Sequence, residues 1–229
     1  MIYSDSQSSM TTSDLGSSDA RVRERALSTL PKGAESTRAV VRLLRDPDPF
    51  VRDAALERLQ GWDARRSLPL IVPSLRDPYE IARVTALECV ASWGGLTHRR
   101  FVRPLLTDRS PLVRGYAAWA LGELGGAGLQ KELQQRFKLE RHHLPRAALH
   151  EVLFRLTRDV RHLEALLRGL SSVNHRVACF AARSLSNCLT VDNSVAVTAA
   201  LKKAHKCDKR LGVRETALKA LEDIRSRTL

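Results

Sequence analysis

A few groups of side chains in this sequence have the types that could do chemistry. His142, His143 and His150 lie close together, as metal ligands often do. No second histidine pair or matching acidic residue accompanies them, so the spacing argues against a metal site. Cys179 follows His175 by four residues, about one helical turn, but a thiol and an imidazole also need a third group to orient the base, and none is evident. Neither GxxxxGK[ST] nor GxGxxG occurs, and the glycines of "GELGGAG" read as a helix end followed by a turn. Cys89, Cys179, Cys188 and Cys207 show no CxxC spacing, which speaks against a zinc site or a disulfide framework and for a reducing, cytoplasmic compartment. The sequence therefore predicts no catalytic residues, no cofactor and no metal, and directs attention to binding.

Charge indicates the kind of partner to expect. The 229 residues carry a formal net charge of +13. Residues 126–229 hold 20 basic and 10 acidic side chains, residues 1–125 only 18 and 15. An anionic partner for the C-terminal half follows as an expectation: an acidic protein surface, nucleic acid or a membrane surface. The run "LKKAHKCDKR" supplies Lys202, Lys203, Lys206, Lys209 and Arg210 as a candidate anion patch, or equally as a charged cap that keeps a chain end soluble. No apolar run reaches the ~18 residues of a membrane span. The Ser/Thr-rich start, residues 1–17, has no basic and apolar leader pattern and is expected to be a disordered tail.

The elements that must position these groups are written as a repeat. "DPDPFVRDAALERLQGWD", "DPYEIARVTALECVASWG" and "DRSPLVRGYAAWALGELG" follow one another at intervals of 31 residues. The phrase V-R-x-x-A-[LA]-x-x-L begins at Val22, Val51, Ala82, Val113, Leu144, Val177 and Val213, spacings of 29 to 36 residues that suit helical solenoids. At about 100° per residue, offsets 0, 4, 5 and 8 from the phrase start share one helix face. Asp48-Pro49 and Ser110-Pro111 supply a capping side chain before a first-turn proline. Apolar segments between phrases (39–44, 68–75, 101–106, 160–170 and 195–201) predict one further helix each, kinked by Pro73 and Pro104. A single helix pair cannot bury its apolar stripe alone, so each copy must present the same surface to the next.

These phrases resemble HEAT repeats, specifically the phycobiliprotein-lyase-type HEAT-like class, over roughly residues 18–229. The resemblance implies an all-α, HEAT/armadillo-like solenoid of about seven stacked antiparallel helix pairs, curved around a concave groove, as a single domain. It also implies a structural ladder between turn aspartates and helix arginines: Asp46, Arg52, Asp77, Arg83, Asp108, Arg114, Asp208 and Arg214. Leu139 and Ser172 stand at the Asp position of the fifth and sixth copies, and Pro145 and Ala178 at the Arg position, so the ladder is expected to break around residues 135–180. The pair His150-Glu151 is similar to the metal-binding pairs of HEAT-type deoxyhypusine hydroxylases, but that family needs several pairs and this chain has one.

In such a solenoid the phrase helix lines the concave surface. Offset 6 points away from the core and reads Ser28, Glu57, Glu88, Trp119, His150, Arg183 and Lys219; offset 3 adds Tyr116 and Phe180. The expected groove runs from acidic through aromatic to basic, with Trp119, Tyr116, Phe180, His150 and Arg183 as its centre. Three functions are compatible. The first is a non-enzymatic scaffold or adaptor for a protein partner, one with an acidic surface, and with no small-molecule substrate. The second is a nucleic-acid binder, architectural or similar to HEAT-like DNA glycosylases, although the groove offers Glu88 and no aspartate. The third, implied by the resemblance, is a lyase or chaperone subunit for a tetrapyrrole-bearing protein.

Overall fold

Each phrase forms a helix because its apolar residues recur on one face, and most are preceded by a capping side chain. The computed structural model describes residues 12–62 and 64–228. Thirteen α-helices follow one another among them: α1 (Ala20–Thr29), α2 (Ala34–Leu43), α3 (Pro49–Trp62), α4 (Ala64–Ile71), α5 (Glu80–Trp93), α6 (Arg99–Val102), α7 (Pro111–Leu124), α8 (Leu129–Leu139), α9 (His143–Thr157), α10 (Val160–Gly169), α11 (His175–Asn187), α12 (Ser194–Cys207) and α13 (Leu211–Thr228). The seven phrases are the odd-numbered helices. Asp48 accepts the Phe50 N–H at 2.8 Å, Ser110 accepts the Val113 N–H at 3.4 Å, and Asn174 accepts the Val177 N–H at 3.3 Å. Each thereby satisfies a backbone donor that a helix start leaves open.

The prolines act as breaks rather than kinks. Helix α4 gives way to a 3-10 turn at Val72–Arg76 and α6 to another at Arg103–Thr107, with Pro73 and Pro104 in their first turns. A proline has no N–H for the α-helical ladder, so the chain tightens there. That leaves α6 four residues long, shorter than the spacing predicted. The 3-10 turn at Thr12–Gly16 is a second departure: expected inside a disordered tail, it is ordered because Leu15 is buried. Residues 1–11 lie outside the described residues.

The chain separates into two compact units, Met1–Phe101 and Val102–Leu229, where one domain was expected. Within the first, α1, α3 and α5 stack in order, with α2 against α3 and α4 against α5. Within the second, α7, α9, α11 and α13 stack, while α8 and α10 lie against α9 and α12 against α13. Each unit is thus a piece of α-solenoid built from helix pairs. Their cores are aliphatic: Leu56, Leu59 and Leu87 in one, Leu121, Leu149 and Leu153 in the other, all nearly inaccessible. Each such side chain contributes about 1.5–3 kcal/mol on burial. No helix among the described residues is long and apolar enough to cross a membrane.

Between repeats, arginines and carboxylates make the register explicit. Arg23 donates to both oxygens of Asp46, at 2.8 and 2.7 Å, and Arg52 likewise to Asp77, at 2.6 and 2.7 Å. The second amino group of each arginine reaches back to its own turn: Arg52 to the Asp46 carbonyl, Arg83 to that of Asp77 and Arg114 to that of Asp108. The expected break is found only in part: the rung into the fifth turn persists, whereas Arg146 donates to the Phe137 and Glu140 carbonyls and makes no ion pair with the sixth turn among the described residues. Glu140, one residue beyond Leu139, accepts from Arg114 at 2.8 and 3.1 Å, and Arg146, one beyond Pro145, donates to the Glu140 carbonyl at 3.0 Å. The ladder residues of the fifth turn are therefore displaced by one position, while its apolar face keeps Leu144, Ala148, Leu149 and Val152 buried. At the sixth, where Ala178 has no guanidinium, Arg210 pairs with Asp208 and donates to the Ser172 carbonyl at 2.7 Å. Arg214 is exposed and makes no ion pair among the described residues.

Candidate functional site

In the second unit, residues three apart on α7 and on α11 share a face, which puts Tyr116 beside Trp119 and Phe180 beside Arg183. Helix α9 packs against both, and its residues in this turn, Ala147 and Ala148, are small. The rings therefore meet across it. Tyr116 and Trp119 lie with centroids 6.1 Å apart at 80°, and Tyr116 and Phe180 6.1 Å apart at 89°. Arg183 stands over all three, its Cζ 5.0 Å from the Tyr116 centroid, 5.5 Å from Trp119 and 4.6 Å from Phe180. Its Nη1 donates to the Tyr116 hydroxyl at 3.2 Å, and its Nη2 is buried without a hydrogen-bond partner among the described residues. Edge-to-face rings and a stacked guanidinium each contribute on the order of 0.5–2 kcal/mol. The cluster holds Arg183 in one orientation before anything binds.

Beside this cluster opens a cavity of about 550 Å³, with Leu112 and Leu144 as apolar wall and Arg176, Lys219 and Glu215 at its polar side. Its volume falls in the range of ligand sites. Arg176, Lys219 and Glu215 are exposed and make no ion pair with one another. Also in the wall, Cys179 Sγ lies 3.5 Å from His175 Nδ1, and among the described residues no third side chain hydrogen-bonds to that imidazole. The arrangement can hold an anionic group against an aromatic surface.

His150 is not part of this site. Its ring sits 4.8 Å from Phe137 of α8, and its Nδ1 lies 2.8 Å from Nδ1 of His162 on α10. Phe137 and His162 cover this face of α9, so offset 6 of the fifth phrase is closed off by α8 and α10. Glu151 turns instead toward α11, fully buried, where Ser184 donates to Oε2 at 2.5 Å and Asn187 to Oε1 at 2.9 Å. Burial raises its pKa against those hydrogen bonds. Neighbours in sequence, His150 and Glu151 serve different helices. His142 caps α9 by accepting the Leu144 N–H at 3.2 Å, and His143 is exposed. Among the described residues no three metal-ligand side chains gather.

The remaining candidates lie apart from the cluster. Glu57 on α3 and Glu88 on α5 belong to the first unit. Partial burial, then Asp53 and Glu24, push the Glu57 carboxyl upward. Lys202, Lys203 and Lys206 project from α12 and Lys209 from the turn after it, all exposed, whereas Arg210 is committed to Asp208 and Ser172. The polar wall of Arg176 and Glu215 escaped sequence reasoning because both fall outside offsets 3 and 6. Their surroundings on α11 and α13 gave no separate signal.

Residues 68–153 match a family model described as HEAT repeats. This part of the chain carries HEAT repeats. Among solved structures the HEAT-repeat chain is similar to one from the complex of CpcE and CpcF of phycocyanin lyase from a Nostoc species, with a TM-score of 0.66 and 17% identity over 93% of this chain and 92% of that one. Human deoxyhypusine hydroxylase aligns with a TM-score of 0.42 and 18% identity, covering 94% of each chain. An archaeal HEAT-like repeats protein from Thermococcus onnurineus gives 0.40 and 14%, covering 88% of this chain and 90% of its own. No curated protein matches the HEAT-repeat chain in sequence.

Proposed function

We propose that this HEAT-repeat protein works by binding, taking an acidic segment of a partner protein on the face of α7, α9, α11 and α13. The observation that carries this reading is Arg183, fixed by three aromatic rings at the edge of a 550 Å³ cavity that also holds Arg176 and Lys219. A preorganised guanidinium loses little freedom on meeting a carboxylate, and aromatic anchors beside it are what binding hot spots use. A stacked array of repeats without a covalent constellation suits an adaptor or scaffold. A second reading has one observation in its favour: the Nostoc structure, by its title, is a two-protein complex of a phycocyanin lyase. On that reading the partner is a second lyase subunit or the phycobiliprotein itself. The basic run at 202–210 keeps nucleic acid as a third.

The test uses the full chain as bait in native lysate, with and without nuclease, beside an R176E/K219E variant whose exposed changes leave the core untouched. Partners that survive nuclease and are lost by the variant support the reading. Partners removed by nuclease would move the function to nucleic acid, and an unchanged set with the variant would remove this face.

A further inference from the structure

A second concavity lies in the first unit, on the opposite kind of helix. A cavity of about 680 Å³ is bounded by α2 and its C-terminal turn, by α4, and by the 3-10 turn Val72–Arg76. Arg42, Arg45 and Arg76 line it together with Ser74, and Leu70 and Pro73 form part of an apolar wall. Nothing in the sequence pattern marked this place, since the three arginines come from two different repeats and the N-terminal half is close to neutral.

Four observations set it apart from an ordinary solvated surface. The guanidinium groups of Arg42, Arg45 and Arg76 have no hydrogen-bond or ion-pair partner among the described residues, whereas those of Arg23, Arg52 and Arg114 are each engaged twice over. The one carboxylate in the wall, Asp77, is already committed: Arg52 donates to both its oxygens and the Tyr79 N–H to one of them. Ser74 is 8% exposed, and its hydroxyl finds no protein partner among the described residues although it borders the cavity. Leu70, 52% exposed, offers an apolar surface beside the charges. Arg42, Arg45 and Arg76 are exposed, and three like charges lining one hollow make its potential positive and favour an anion there.

We propose that this cavity is a binding site for a phosphate ester, the phosphate meeting Arg42, Arg45, Arg76 and the Ser74 hydroxyl while its organic part lies on Leu70 and Pro73. A dianion with three free oxygens matches three forked guanidinium donors and one hydroxyl, and guanidinium–phosphate bonds are among the strong hydrogen bonds. A carboxylate, with two oxygens and one charge, would leave part of the site unmet. The ligand is a free phosphorylated small molecule or a phospholipid headgroup, which share this chemistry. The site stands independently of the α7–α13 face.

The experiment is calorimetric titration of the full chain with phenyl phosphate, with benzoate as the carboxylate control, beside a flotation assay with phosphatidic acid vesicles. Phenyl phosphate binds the wild type at moderate salt, benzoate at least tenfold more weakly, and R42A and R76A each weaken binding about tenfold or more. S74A weakens it a few-fold, while K131A, exposed on α8 and outside both cavities, leaves it unchanged. Vesicle binding lost by R42A/R76A supports the site and names the lipid as source; soluble binding alone supports the small molecule. Absence of any phosphate binding, equal affinity for benzoate, or affinity retained by R42A/R76A overturns the assignment. Circular dichroism of the variants separates loss of binding from loss of fold.

Discussion

Arg114 grips Glu140 through two hydrogen bonds, at 2.8 and 3.1 Å, and Arg136 adds a third at 2.5 Å. Glu140 also accepts the N–H groups of Arg141 and His142, so one buried carboxylate ties α7, α8 and the start of α9 together. Burial works against its charge, but Arg114, the His142 N–H and Arg136 prevail and bring its pKa down to about 2. The folded pKa lies below the unfolded value near 4.3, so the stabilisation is complete above that value and is lost as pH falls toward 2. E140Q keeps the shape and removes the charge. It should cost about 3 kcal/mol at neutral pH and flatten the fall in urea midpoint between about pH 4.3 and 2. An unchanged midpoint would show that the pair contributes nothing.

Arg210 substitutes in space for the arginine that Ala178 lacks. An arginine at 178 would reach Asp208 and the Ser172 and Val173 carbonyls by the pattern of Arg52, and Arg210 makes those bonds from the following turn. R210A should lower stability by about 1–3 kcal/mol, and A178R placed in the R210A background should recover part of it. Were A178R to worsen R210A, the equivalence of the two positions would be wrong.

Gly122 lets α7 approach α9. A Cβ there would stand 2.7 Å from Val152 Cγ2 and 2.9 Å from Cγ1, inside van der Waals contact. G122A should destabilise by about 1–3 kcal/mol through overpacking, and V152A should relieve it, so the double variant loses less than the two single losses combined. Thermal melts of the four proteins check this; simple additivity would place the close approach elsewhere.

Much of the fold was legible because solenoid stacking writes itself into sequence: the seven phrases are seven helices, and the prolines mark where their partners end. The site was legible only in part. Tyr116, Trp119, Phe180 and Arg183 lie at offsets 3 and 6 of phrases whose register was correctly aligned on α7 and α11. His150 was misplaced because Phe137 of α8 and His162 of α10 cover offset 6 of this phrase, and nothing in the repeat pattern announces those two rings. Arg210 and Glu140 were invisible as ladder residues because a guanidinium or carboxylate can reach the same point from a neighbouring backbone position. Helix α8 was missed because its apolar spacing, Leu129 and Leu133, is sparse.

The His150–His162 contact predicts a second pH dependence in a different window. With Nδ1 atoms 2.8 Å apart, one ring donates and the other accepts, which two imidazolium ions cannot do. Burial first, then His162, Arg146 and Arg168, push His150 down to about 4, and burial lowers His162 despite Asp159. Phe137 closes the pocket from α8 and offers no charge. The folded His150 pKa lies below the unfolded value near 6.5, so the folded state binds fewer protons between the two, and stability falls as pH drops from about 6.5 toward 4. H150F, which cannot be protonated and keeps the ring packing against Phe137, should flatten that segment of the urea-midpoint profile and leave the Glu140 segment below it in place. A profile in which H150F keeps the full wild-type slope between pH 6.5 and 4 would show that this imidazole pair does not govern the acid response of the second unit.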